Sequence, residues 1–170
     1  MNGLLAVLKV ILTLFVKDVK PSQVETPKNE EIPETMTSKI EFKNDSKRLQ
    51  DEFKELETKN KELHDLLKDC ANYCFKMFKK TIVITMIYRT QEEQDDIYKD
   101  DPKYVAKKFK SPHQLNHAAD LRSSSFTSTE IKQIEDYLNL KYNVGNYYKW
   151  TARDHNVGLG NHFHIQRIKG

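Results

Sequence analysis

Ser111-Pro112-His113-Gln114-Leu115-Asn116-His117-Ala118-Ala119-Asp120-Leu121-Arg122 is the stretch from which the rest of the chain can be read. Ala118 to Arg122 reads as a short strand, so Asp120 points to one face while Ala119 and Leu121 point to the other. Far downstream, His162-Phe163-His164-Ile165-Gln166 alternates in the same way. Phe163 and Ile165 are expected to be buried, with His162, His164 and Gln166 on the opposite face. If the two strands are neighbours, Asp120 shares a surface with the histidines, and His113 arrives from the preceding loop. Two imidazoles and a carboxylate suit zinc, because a catalytic zinc takes three protein ligands and leaves a fourth position for water. Ligand type favours zinc without excluding other divalent ions.

Three segments resemble one family. Ser111, His113, Ala118 and Asp120 match the Ser-x-His-x-x-Gly-x-Ala-x-Asp pattern of zinc D-Ala-D-Ala peptidases and the related peptidoglycan-cleaving endolysins, which share a fold with hedgehog signalling domains. Upstream, Tyr88-Arg89-Thr90-Gln91-Glu92-Glu93-Gln94 is similar to the family's Tyr-Arg-Ser/Thr-x-x-x-Gln element. Downstream, His162-Phe163-His164 resembles its His-x-His. The segments stand in family order from residue 88 to 164.

The resemblance implies zinc held by His113, Asp120 and His164, with hydrolysis of a peptide bond in a peptidoglycan stem or cross-link. It gives Arg89 the task of holding a substrate carboxylate or a polarised carbonyl oxygen, against the plainer reading of a salt bridge to Glu92 or Glu93. Ser111 is expected to orient a ligand or cap the loop. Two departures follow. The family glycine is Asn116, a residue that tolerates left-handed backbone angles. Asn161 stands where relatives often carry the acidic general base, and an amide is no useful proton acceptor near neutral pH. His162 is the nearest replacement, since peptidases of the wider fold use the first His of His-x-His, and Asp154 is the second candidate. His117 and His155 match no family position and read as surface histidines, while Gln94 reads as a packing and hydrogen-bonding residue. Trp150, Tyr147 and Tyr148 suit either a substrate groove or a core.

The remaining sequence divides into three. Residues 4–16 form an apolar stretch broken by Lys9, short for a membrane span but the size of an export signal's core, and lack a cationic lead and a cleavage pattern. They read as an uncleaved export signal or weak membrane anchor within residues 1–20, with an apolar helix packed on the domain as the alternative. Residues 21–45 mix Pro21, Pro27 and Pro33 with glutamates and read as a flexible tether. The domain, 46–170, opens with Ser46 as N-cap of one long helix towards Phe78, its apolar positions interrupted at Asn60. That helix suits a coiled-coil dimer or, more simply, a cover for a sheet. A strand over Thr81–Tyr88, helices over Gln91–Tyr98 and Thr129–Leu140, and the two histidine-bearing strands complete an α+β fold. The expected architecture is a small antiparallel sheet carrying a zinc site, flanked by helices.

Composition sets limits on function. The 170 residues leave room for one domain, and 38% hydrophobic against 31% charged residues describes a modest core under a polar surface. Net charge is only +3, with lysines and acids interspersed rather than gathered on one face, which argues against nucleic acid as a partner. Cys70 and Cys74 stand one helical turn apart and read as small buried residues before they read as a disulfide or half a metal site. The expected partner is therefore a peptidoglycan stem peptide, with membrane contact through residues 4–16. The expected location is a bacterial envelope, periplasm or secreted fraction, with a phage origin also open. The competing expectation is a zinc-containing wall-binding or structural module without catalysis.

Overall fold

The computed structural model describes residues 40–101, 111–156 and 160–169. The apolar stretch 4–16 and most of the expected tether lie outside the described residues. The fold begins before Ser46. Ile40 and Phe42 alternate around Glu41 in a short strand, β1 (Ile40–Phe42), and both pack against the core. The last residues of the expected tether thus belong to the folded domain, their apolar pair masked in the sequence by surrounding charge.

Ser46 caps α1 (Lys47–Lys59), its side chain accepting from the Leu49 N–H at 3.4 Å. The expected long helix is two helices. Asn60 leaves helical geometry (φ −154°, ψ 79°) and caps α2 (Lys61–Phe78) by accepting from the Leu63 N–H at 3.2 Å. Its amide nitrogen also donates to the carbonyls of Asn116 at 3.0 Å and Arg167 at 2.7 Å. The polar interruption of the apolar pattern is therefore a junction that ties the helix pair to both histidine-bearing segments.

β2 (Ile82–Met86), α3 (Gln91–Tyr98), β3 (Ala118–Arg122), α4 (Ser128–Tyr142), β4 (Ala152–Asn156) and β5 (Asn161–Gln166) follow in the chain. The strands form one sheet in the order β1-β2-β3-β5-β4. β1 runs parallel to β2 and the other pairs are antiparallel, so the sheet is mixed rather than purely antiparallel. Fold class is α+β, as expected. Ile82, Ile84, Ala119, Leu121, Phe163 and Ile165 fill one face of the sheet. Leu56 of α1, Leu63, Leu67, Cys70 and Cys74 of α2, and Ile134 and Leu138 of α4 close over them. Both cysteines are free and buried there as small apolar residues. Truncating one of these leucines to alanine costs about 2–5 kcal/mol. Among the described residues, no helix is long and apolar enough to cross a membrane.

Candidate metal centre

The opposite face of the sheet carries the polar side chains, and strand register decides which of them meet. In antiparallel pairs, partnered residues project to the same side. β3 pairs with β5 through Asp120↔His164 and Arg122↔His162, and β5 pairs with β4 through His164↔Arg153 and His162↔His155. Two rows result, Asp120–His164–Arg153 and Arg122–His162–His155. The expectation that Asp120 and the histidines share a surface is met.

His113 reaches the rows from a 3₁₀ turn (Pro112–Leu115) ahead of β3. Ser111 caps that turn. Its N–H donates to Oε1 of Gln114 at 3.2 Å, and its carbonyl accepts the Gln114 N–H at 3.0 Å. The turn ends on Asn116 at φ +57°, a left-handed position of the kind that favours glycine. Asn is among the few side chains that adopt it readily.

Three donor atoms then converge. His113 Nε2 lies 3.2 Å and His164 Nδ1 2.9 Å from Asp120 Oδ1, and the two nitrogens are 3.3 Å apart. A tetrahedral zinc with bonds of about 2.0–2.1 Å spaces its ligands by about 3.3 Å, so the set fits such an ion. His113, Asp120 and His164 are 2%, 7% and 9% exposed, dry enough to favour inner-sphere ligands. The ring of His113 is oriented from behind, because Nδ1 donates to the Ile87 carbonyl at 2.9 Å and leaves the Nε2 lone pair facing the cluster. The buried trio could hold a metal ion.

Electrostatics agree with that use. Burial alone raises the Asp120 carboxyl, but the facing imidazoles of His113 and His164 overcome it and hold the group well below the usual carboxylate range. Burial pushes His113 below the ordinary histidine value despite its contact with Asp120, which favours the neutral, ligating form.

Arg89 is buried beside the trio rather than paired with Glu92 or Glu93. Its Nη1 donates to Gln94 Oε1 at 2.9 Å, and Nη2 lies 3.9 Å from Asp120 Oδ2. Gln94, read from the sequence as a packing and hydrogen-bonding residue, is the partner in that bond. Glu93 is taken by Arg48 instead. His162 projects beside the cluster, its Nε2 3.8 Å from Asp120 Oδ1. Since the Gly160 carbonyl accepts from His162 Nδ1 at 2.9 Å, the Nε2 lone pair is left free.

Asp154 does not join the site. It pairs with Phe163, on the core-facing side of β4, and its backbone N–H donates to Glu135 of α4. As a strand, Ala152–Asn156 sends Asp154 to the core-facing side and His155 to the side of the donor trio. His155, expected as a surface residue, packs its ring 4.7 Å from that of His162 and 5.6 Å from that of His164. Burial, then the neighbouring His162 and His164, lower its proton affinity. The signal that could have found it is the glycine-bearing segment Gly158-Leu159-Gly160 between two short runs, which is how a hairpin is written. Charged Arg153, Asp154 and His155 hid the strand by removing its apolar alternation.

His117 is not free either, its Nδ1 lying 2.9 Å from the Tyr148 hydroxyl. Trp150 stands 5.6 Å from the His164 ring, so this aromatic borders the centre rather than filling the core. Compared with protein-family models, curated proteins and solved structures, the chain matches none.

Proposed function

We propose that the chain is a zinc-dependent hydrolase of peptide bonds in peptidoglycan, either trimming a terminal D-Ala or cutting within the stem peptide. The observation that carries this reading is the free Nε2 of His162 beside three converging donor atoms, 3.8 Å from Asp120 Oδ1. A donor trio alone could serve structure; a trio with a poised proton acceptor suits hydrolysis. The family resemblance of residues 88–164 names the substrate class.

His113, Asp120 and His164 would hold zinc, which supplies Lewis acidity to water and to a scissile carbonyl. Arg89 suits the carbonyl oxygen, because its Nε is buried with no partner among the described residues while Gln94 fixes the far side of the guanidinium. His162 would take the proton from the attacking water and pass it to the leaving amine, the work of the acidic residue in the family the sequence resembles. The envelope or its exterior is the location this substrate requires, with residues 4–16 as the proposed anchor.

Asn161 supports a second reading, a zinc-containing wall-binding module without turnover. Incubating the zinc-loaded chain with purified peptidoglycan and weighing the released fragments by mass spectrometry separates the two. New termini that disappear with a chelator and with His164→Ala establish a metallopeptidase, and their masses name the bond. Stoichiometric zinc and co-sedimentation with the wall, without release, establish the binding module.

A further inference from the structure

We infer that β4 presents a carboxylate-binding subsite beside the metal centre, formed by His155 and Arg153. The preferred substrate would then carry a free carboxylate on a residue flanking the cleaved bond. The inference rests on the hydrolase reading for the word substrate, but the subsite itself is argued from β4.

Register places both side chains on the face that carries the donor trio, Arg153 opposite His164 and His155 opposite His162. Nε2 of His155 is shielded from solvent and has no partner among the described residues. A buried polar atom without a partner costs about 1–3 kcal/mol, a cost that a bound ligand removes. Arg153 is exposed and makes no ion pair among the described residues. Asp120, the carboxylate on this face, is already shared by His113 and His164. A guanidinium and an imidazole nitrogen two residues apart on one strand therefore stand without a partner among the described residues. Their chemistry, one lasting positive charge and one additional donor, fits a carboxylate.

The edge strand is also held in place, as a recognition element must be. Asn139 of α4 accepts from the Thr151 and Ala152 N–H groups at 2.8 and 3.0 Å and donates to the Ala152 carbonyl at 2.8 Å. Asp154, turned towards α4, adds its N–H bond to Glu135. Fastening the far side of β4 leaves its near side preorganised, which lowers the entropic cost of binding.

The test uses the zinc-loaded full chain, Arg153→Gln and His155→Ala, with zinc content measured for each. Three synthetic stem pentapeptides, L-Ala–γ-D-Glu–L-Lys–D-Ala–D-Ala, are supplied with both carboxyls free, with the D-Glu α-carboxyl amidated, or with the C-terminus amidated. NMR titration gives Kd and mass spectrometry of the same samples gives cleavage. We expect one amidation to weaken wild-type binding about tenfold, the loss of one charge-assisted contact, and the preference to fall towards unity in both variants at unchanged zinc content. Equal binding of all three peptides, or a preference retained in both variants, overturns the subsite. Cleavage without such preference overturns it while leaving the hydrolase reading in place. Preference lost in the variants, with no peptide cleaved, supports the subsite and counts against hydrolysis.

Discussion

Asp120 must remain an anion in a place where burial opposes it, and the two imidazoles that make this workable are the same two that complete the donor set. Charge and orientation are thus lodged in a few atoms, and in the proposed mechanism His162 is the group that moves a proton. Replacing His162 with alanine should lower kcat by about 10²–10⁴-fold, the usual span of general acid–base catalysis. Zinc content should stay near one per chain in the same samples by metal analysis, and an unchanged kcat would remove His162 from the mechanism. The trio was legible because three side chains of distinctive chemistry sit in strands of plain alternation. His155 was not legible, since its strand lacks an apolar face to announce it and its value comes from the register partner His162. Asp154 misled for the complementary reason: a carboxylate near the site in sequence lies one residue, and so one whole sheet face, away from it.

At the scale of elements, the junction between α1 and α2 carries unusual weight. Asn60 caps a helix and feeds two carbonyls, one after the His113 turn and one after β5. Asn60→Ala should cost about 3 kcal/mol, from a lost cap and carbonyls left without a donor, read as a lower urea midpoint. An effect below about 1 kcal/mol would show that water replaces the amide fully. The break was visible as a polar residue in an apolar pattern, but two of its three partners, Asn116 and Arg167, lie in distant sequence, which periodicity does not encode. A second tie joins α1 to the start of α3. Arg48 bonds to Glu93 and to the Tyr88 carbonyl, and its guanidinium pulls the Glu93 carboxyl from 4.5 to about 2. A depressed carboxyl stabilises the fold above its unfolded value and ceases to do so as pH falls through the folded one. The stability gap between wild type and Glu93→Gln should therefore be full above pH 4.5 and vanish near pH 2 in denaturation series. A gap that widens on acidification would contradict the assignment.

For the whole molecule, the core and the donor trio occupy opposite faces of one sheet, so the core packs without any residue of the trio. Chelation should leave the circular dichroism of the fold intact. With zinc present at a hundredfold over its Kd, stabilisation is about 2.7 kcal/mol, and stripping the ion should lower Tm by about 10 °C. Collapse of the spectrum on chelation would instead place the chain with domains that metal binding folds outright. The β3–β5 pairing has a kinetic consequence as well. Asp120 and His164 are register partners, β5 follows every other strand among the described residues, and it lies between β3 and β4. The donor trio exists only after that C-terminal strand has inserted, a long-range event of the kind that limits folding rates. Cobalt(II) supplied during refolding would acquire its tetrahedral colour at that moment and not before, turning the centre into a stopwatch for closure of the sheet.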